Sequence, residues 1–288
     1  MELLARDRRI RFPRRPLIMG IVNINDDSFC GDGRVDCQWA LEKARGLVAQ
    51  GADIIDVGAE SARTNRTVMT PDEELDRLKP FLERFPAVSS DLEPRDAVQV
   101  FPPLLSLNTW RPEVAAEALA IGAHLLNDLG ALHDDRNARI CAKAAAALLI
   151  MHTVGLPKLP HTHVTYPDVI GELRSFFGEK ISLAETVGLP RDAIVLDPGI
   201  DFAKQGADNL RIYRELGTLC EFGRPILLPV SRKRVIEHVL GISVPDERDP
   251  ATAACIVAGL LRGASIFRVH NVEMAWRVIG SVERLRAQ

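Results

Sequence analysis

The sequence lacks the features that usually indicate metal clusters, disulfides, nucleic-acid binding or membrane insertion. Its five cysteines form no CxxC pair, and such a dispersed, odd set is typical of reduced thiols. The 36 basic and 39 acidic residues leave a net charge of −3, so no overall field gathers nucleic acid or anionic lipid. No apolar run approaches the ~20 residues of a membrane span. We therefore expect a cytoplasmic protein with no nucleic-acid and no membrane partner.

Residues 1–16 are rich in arginine but lack the apolar core of a signal peptide. We interpret them as a basic, solvated lead-in, and a nucleic-acid arm is the alternative. Short apolar runs then alternate with amphipathic helical patterns along the whole chain. These runs are near-continuous in Val, Ile and Leu, as expected for parallel strands buried on both faces. The eight predicted strands are 17–23, 53–58, 104–108, 124–128, 147–152, 194–199, 225–231 and 264–270.

Eight strands that alternate with helices fit either a closed barrel or a doubly wound open sheet. The count, together with a length of 288 residues, favours an α/β fold of the (β/α)8 TIM-barrel type, as a single domain over 1–288. Residues 86–103 are too long for an ordinary helix-to-strand connection. They are either an insertion before the third strand or a sign that this strand is misplaced.

Polar side chains stand at or just beyond the end of every predicted strand. In a barrel these carboxyl ends converge on one mouth, where chemistry occurs. Any single one could simply cap the following helix, but polar residues at all eight strand ends favour a binding site. The set includes Asn23, Arg63, Asn108, Asn127, His152, Asp197, Lys233, Arg268 and His270.

These side chains divide by chemistry into two groups. Arg63, Arg268 and His270 suit an anion such as diphosphate, because guanidinium groups form forked, charge-assisted hydrogen bonds with phosphate oxygens. Asn127 and Asp197, with Asn108, suit the amino and oxo edges of a flat heterocycle. The sequence contains no P-loop and no GxGxxG, and it has no His/Cys cluster with metal-ligand spacing.

The same positions carry a resemblance to the dihydropteroate synthases, in the family's order and over roughly residues 17–288. The motifs are Ile18-Met19-Gly20-Ile21-Val22-Asn23, Asp53-Ile54-Ile55-Asp56-Val57-Gly58 followed by Glu60-Ser61 and Arg63, Asn127-Asp128, Met151-His152, Asp197-Pro198-Gly199, Ser231-Arg232-Lys233 and Arg268-Val269-His270. The resemblance implies a TIM-barrel transferase of folate biosynthesis that joins p-aminobenzoate to a dihydropterin diphosphate. It also implies a sulfonamide target.

Carried over residue by residue, the resemblance assigns Asn108, Asn127, Asp197 and Lys233 to the pterin. It assigns Asn23, Arg63, Arg268 and His270 to the diphosphate, with Mg²⁺ near Asn23. The catalytic roles fall to Asp197, Lys233, Arg268 and His270. The loops at 25–35 and 62–67 are expected to close over the amine with Phe202. The family also implies a homodimer, and apolar residues Val272, Met274, Trp276 and Val278 on the last helix are candidates for its interface.

The sequence departs from the family pattern near the amine site and at the third strand. Asn108 stands where the family usually has Asp, and Asp91 is a candidate to supply the missing carboxylate. Arg234 follows the Ser-Arg-Lys run where Ser is common, and we predict that it binds the carboxylate of p-aminobenzoate. Two other functions stay open: a pterin-dependent methyltransferase, and a pterin-binding paralogue with altered catalysis.

Overall fold

The computed structural model describes residues 1–25, 33–61, 68–155, 157–159 and 164–286. Within these ranges, two short strands come first, and eight parallel strands then alternate with helices. The strands are β1 (Glu2–Ala5), β2 (Arg8–Arg11), β3 (Leu17–Asn23), β4 (Ile54–Gly58), β5 (Leu104–Asn108), β6 (Leu125–Asp128), β7 (Ala147–Met151), β8 (Ile194–Asp197), β9 (Leu227–Pro229) and β10 (Ile266–Val269). The helices are α1 (Cys37–Ala49), α2 (Pro71–Arg84), α3 (Pro112–Ile121), α4 (Arg136–Ala144), α5 (Val169–Thr186), α6 (Gly206–Glu215), α7 (Arg234–Leu240), α8 (Asp249–Leu260) and α9 (Val272–Arg286).

The parallel strands form a nearly closed barrel in the order β8-β7-β6-β5-β4-β3-β10-β9. The ends of this order meet where the Leu196 amide donates to the carbonyl of Pro225 at 3.0 Å. The predicted (β/α)8 TIM barrel is therefore confirmed, with α7 and α8 both lying between the last two strands. Each predicted strand matches an observed one, although several are shorter than their apolar runs.

The interior of the barrel has an apolar lower layer and a polar upper layer. Met19, Ile54, Leu104 and Leu125 belong to the lower layer and are fully buried. Because side chains alternate between the two faces of a strand, the residue two positions further along again faces inward. In this way five polar residues reach the upper layer, one from each of five strands. They are Asp56 in β4, Ser106 in β5, Asn127 in β6, Asp197 in β8 and Arg268 in β10.

Residues 1–16 are not a solvated lead-in, and that expectation was wrong. β1 and β2 pair antiparallel, and Leu3 and Ala5 pack completely buried against the apolar lower layer. The Arg6 guanidinium donates to the carbonyl oxygens of Leu119 and Ala123 at 3.0 and 3.3 Å. The hairpin therefore closes the amino-terminal end of the barrel, and Arg6 fastens it to the α3–β6 connection.

Residues 86–103 are an insertion that packs near the end of α1. The third barrel strand, β5, lies where it was predicted. A 3-10 helix, Phe85–Ser89, is followed by irregular chain. The Gln99 side chain donates to the carbonyl oxygens of Val48 and Ala52 at 3.0 and 2.9 Å, near the end of α1. Asp91 pairs with Arg45 on the outside of the barrel, and its side chain is 69% exposed. The hypothesis that Asp91 supplies a carboxylate to the mouth was therefore wrong.

The apolar residues of the last helix are largely covered within the chain. Val272 is fully buried, and Met274, Trp276 and Val278 are half-buried against the core. The indole of Trp276 donates to Asp96 at 2.8 Å, and the guanidinium of Arg95 lies 3.9 Å from its ring centre. These residues therefore give little support to a dimer interface. No helix among the described residues is long and apolar enough to span a membrane.

Candidate active site at the barrel mouth

The buried carboxylate of Asp56 joins the polar residues of four strands at the barrel mouth, which is formed by the carboxyl ends of β3–β10. Its Oδ2 accepts from Arg268 Nε at 2.7 Å, Asn127 Nδ2 at 3.1 Å and Asn108 Nδ2 at 3.4 Å. Its Oδ1 accepts from the Ser106 hydroxyl at 2.6 Å. Asp56 is 0% exposed, so it needs all of these partners to compensate its lost hydration. The structure thus brings Asn108, Asn127 and Arg268 together around one charge.

Asp56 was not predicted as a functional residue, although it lies within one of the motifs that carry the family resemblance. Inside a run of apolar residues, a single Asp gives no sign of which barrel face it occupies. The signal was its position two residues after Ile54, which faces the barrel interior.

Asp197 is a second buried acidic group at the barrel mouth. It is buried at the end of β8, where its Oδ1 accepts from the Gly199 amide at 2.7 Å. Burial raises the pKa of the Asp197 carboxyl to about 6, and the positive charges of Lys233, Lys204 and Arg268 oppose that rise. Asp197 near the end of β8 and Arg268 near the end of β10 therefore lie at the same mouth of the barrel.

His270 follows β10 and is oriented by a serine from the neighbouring β9–α7 loop. The Ser231 hydroxyl oxygen accepts from the His270 backbone amide at 3.1 Å and lies 2.7 Å from the ring Nδ1. The Ser231 hydroxyl can donate to Nδ1, and in that tautomer the ring carries its proton on Nε2, which can then donate to an anion.

The loop after β8 places Phe202 beside Lys233. The Lys233 ammonium donates to the Ile200 carbonyl at 3.0 Å and lies 5.0 Å from the centre of the Phe202 ring. Asp201 Oδ2 accepts from the Arg234 backbone amide at 2.6 Å, at the start of α7. The side chain of Arg234 is exposed, so its predicted contact with p-aminobenzoate stays a prediction.

Lys204 is a second functional residue that was not predicted from the sequence. It stabilises the loop after β8. Its ammonium lies 2.8 Å from His152 Nδ1 and donates to the carbonyl oxygens of His152 and Phe202 at 3.2 and 3.0 Å. Burial lowers the pKa of Lys204 to about 7. Burial first, and then the charge of Lys204, lower the pKa of His152 to about 2. His152 is therefore a neutral ring that accepts from Lys204 through Nδ1 and so fixes the loop.

The remaining predicted residues are less defined. Arg63 lies outside the described residues, as do the whole loop at 62–67 and residues 26–32 of the loop at 25–35. Asn23 ends β3 and accepts from the Arg34 amide through its backbone carbonyl at 3.2 Å. Arg232, the middle residue of the Ser-Arg-Lys run, donates to Asp249 at 2.8 Å. It therefore stabilises the loop between α7 and α8.

The described residues of the mouth offer few ligands for a metal ion. A metal that binds there would take most of its ligands from water or from the substrate. Within the described ranges, no group of three or more His, Cys, Asp or Glu side chains could hold a metal ion. Asn23 offers one amide oxygen at the end of β3. Mg²⁺ keeps several waters and often binds through substrate phosphates. Asn23 would therefore suit Mg²⁺ as its one protein ligand, with a bound diphosphate and water supplying the other oxygens.

Comparisons with known proteins agree with this geometry. The family model of the pterin binding enzymes matches residues 19–270. The dihydropteroate synthase of Bacillus subtilis is 34% identical over 93% of this chain and 88% of its own. The Yersinia pestis dihydropteroate synthase, solved with a sulfonamide drug, superposes with a TM-score of 0.89 at 31% identity over 100% of both chains. The Thermus thermophilus enzyme, solved with 4-aminobenzoate, gives 0.84 at 35% identity over 99% of this chain and 100% of its own.

The fold and the mouth define a pterin-binding enzyme built on a (β/α)8 barrel. Within that class, the chain belongs to the dihydropteroate synthase family, whose members are transferases of folate biosynthesis.

Proposed function

We propose that this chain condenses 6-hydroxymethyl-7,8-dihydropterin diphosphate with p-aminobenzoate, giving 7,8-dihydropteroate and diphosphate. One observation carries this proposal beyond family membership: the mouth has an acceptor side and a donor side. Asn108 Oδ1 and Asn127 Oδ1 are buried and have no hydrogen-bond partner, and Asp197 belongs to the same mouth. Arg268 and His270 supply donors on the other side. A ring with N–H groups and a departing anion fit these two sides.

The acceptor side holds the pterin. A buried acceptor without a partner costs free energy that a ligand N–H recovers on binding. Asn108, Asn127 and Asp197 therefore select a ring edge rich in donors. Lys233 and the ring of Phe202 lie beside Asp197 and limit how the pterin can be oriented.

The donor side stabilises the leaving group. When the bond between the pterin methylene carbon and the diphosphate oxygen breaks, the electron pair leaves with the diphosphate. The guanidinium of Arg268 and, in the tautomer with its proton on Nε2, the imidazole of His270 would donate to that negative charge, and fixed donors are most effective in a dry site. Mg²⁺ at Asn23, when bound, would neutralise part of the same charge. The methylene carbon is left cationic and is conjugated with the ring.

The amine of p-aminobenzoate then attacks as a neutral nucleophile. Its lone pair forms the new C–N bond, and the proton that it must lose passes to solvent or to the released diphosphate. No strong general base is required. Sulfonamides imitate p-aminobenzoate, so we propose that they compete at the Phe202 side of the mouth.

A pterin-binding paralogue with altered catalysis is the second candidate, because Asn108 stands where the family has Asp. Measuring diphosphate release with and without p-aminobenzoate, in the presence of Mg²⁺, separates the possibilities. Release that requires the amine supports the synthase. Pterin binding with no release under any condition would support the paralogue, and transfer of a methyl group from a folate would support the methyltransferase.

We also propose a homodimer in the cytoplasm. The support for a dimer is exposed apolar surface near the last two helices: Leu261, just after α8, and Leu285 in α9 are 57% and 75% exposed. The support for the cytoplasm is that Cys37, Cys141, Cys220 and Cys255 are all unpaired thiols. Sedimentation of the wild type and of Leu261→Glu tests the dimer, and a monomeric wild type would contradict it.

A further inference from the structure

We propose that Asp56 is a positioning residue that sets the hydrogen-bond polarity of the mouth, so that both amides present acceptors to the ligand. The inference rests on the proposed function and deepens it. It explains why the site selects the donor-rich edge of a pterin.

The contacts of Asp56 determine which way the two amides face. Paired with Arg268, the carboxylate can accept hydrogen bonds but cannot donate them. Asn108 and Asn127 must therefore turn their NH2 groups toward its Oδ2, at 3.4 and 3.1 Å. The oxygen of each amide then faces away from Asp56, where it remains buried without a partner. Flipping either amide would bring oxygen against oxygen.

The same carboxylate oxygen also restrains Arg268. Its Nε donates to Asp56 at 2.7 Å, and among the described residues neither terminal nitrogen of this guanidinium makes a hydrogen bond. Asp56 thus holds the base of the group and leaves the two NH2 groups for an anion. One buried charge therefore gives the ring side its acceptors and the anion side its donors.

Replacing Asp56 by leucine tests this control directly, because leucine offers no acceptor to Asn108, Asn127 or Arg268. Asn108 and Asn127 are then no longer held with their NH2 groups toward this position, and each satisfies its donors by turning its NH2 group toward the ligand. The site would then prefer a ring with an acceptor where pterin has a donor.

The experiment compares the binding of two rings, pterin and its 2,4-dioxo analogue lumazine, in which an oxo group replaces the 2-amino group. We expect the wild type to prefer pterin, and we expect Asp56→Leu to lower the pterin-to-lumazine affinity ratio by at least about tenfold. Ser106→Ala is the matched control, because it removes the contact to Oδ1 and leaves the three donors on Oδ2. Its ratio should stay close to that of the wild type.

A folded Asp56→Leu protein with an unchanged ratio would overturn the inference while leaving the proposed function intact. If Asp56→Leu does not fold, Asn127→Asp decides, because its carboxyl presents an oxygen to the ligand whichever way it turns. We expect Asn127→Asp to retain the preference for pterin, and a reversed preference would overturn the inference. A wild type that neither binds pterin nor releases diphosphate would refute the proposed function itself, and this inference with it.

Discussion

Replacing Asp197 by asparagine is expected to stabilise the empty protein while it weakens pterin binding. Burial raises the pKa of this carboxyl from 3.8 to about 6. The folded state therefore holds a proton that the unfolded state has released, over the range between these two values. As pH rises through that range, ionising the buried carboxylate costs stability, and the full cost is present above about pH 6.

The size of this cost follows from the shift in pKa. A difference of about two units, at ~1.4 kcal/mol for each unit, gives at most about 3 kcal/mol. Asparagine does not titrate, and its amide oxygen can still accept from the Gly199 amide as Asp197 Oδ1 does. The free energy of unfolding of Asp197→Asn, relative to wild type, should therefore increase by up to about 3 kcal/mol between pH 4 and pH 7.

Urea unfolding of both proteins at several pH values measures this difference. Asp128→Asn is the matched control: burial also raises the pKa of Asp128 to about 6, but its contacts are Gly130 and Asn137. Asp128→Asn should show a similar dependence of stability on pH and leave pterin affinity nearly unchanged. A stability difference for Asp197→Asn that is independent of pH would refute the reasoning.

Three further predictions concern the same mouth. The KM for the pterin diphosphate should rise as pH falls through about 6, because Asp197 becomes protonated and no longer accepts two ring N–H bonds; a KM that is flat from pH 5 to 8 would contradict this. Arg268→Lys should keep a positive charge beside Asp56 but lose the guanidinium fork, so kcat should fall ~100-fold with little change in melting temperature. Unaltered turnover would remove Arg268 from the mechanism. Arg234→Ala should raise the KM for p-aminobenzoate and leave the KM for the pterin diphosphate unchanged, which steady-state kinetics with each substrate varied will show.

The barrel could be predicted from the sequence because its strands are buried on both faces. Such strands appear as continuous apolar runs, and their number, order and approximate ends followed directly. The position of Asp197 and Arg268 at strand ends then followed from the fold. The amino-terminal hairpin could not be predicted in this way, because its strands have only four residues each and Leu3, Leu4 and Ala5 follow one another with no polar residue between them. So short a pattern does not distinguish a barrel plug from a solvated segment.

The missed residues share a different cause. Asp56 and Lys204 act on other side chains of the protein and do not end a strand. Lys204 bonds to His152, which is distant from it in sequence, so only the folded chain shows that this buried ammonium has acceptors. Asp91 was a poor candidate for the opposite reason: it was chosen by local sequence likeness, and Arg45 holds it on the outer surface.

Asn108 raised the main doubt about catalysis, and its contacts answer that doubt on physical grounds. A carboxylate at this position would stand beside Asp56, and two such groups so close would resist ionising together. With asparagine, the amide donates to Asp56 and still presents an oxygen to the ligand. The negative charge that favours a cationic ring then resides on Asp56 and Asp197. The substitution therefore preserves both the acceptor pattern and a source of negative charge, which supports an active synthase over a paralogue that only binds pterin.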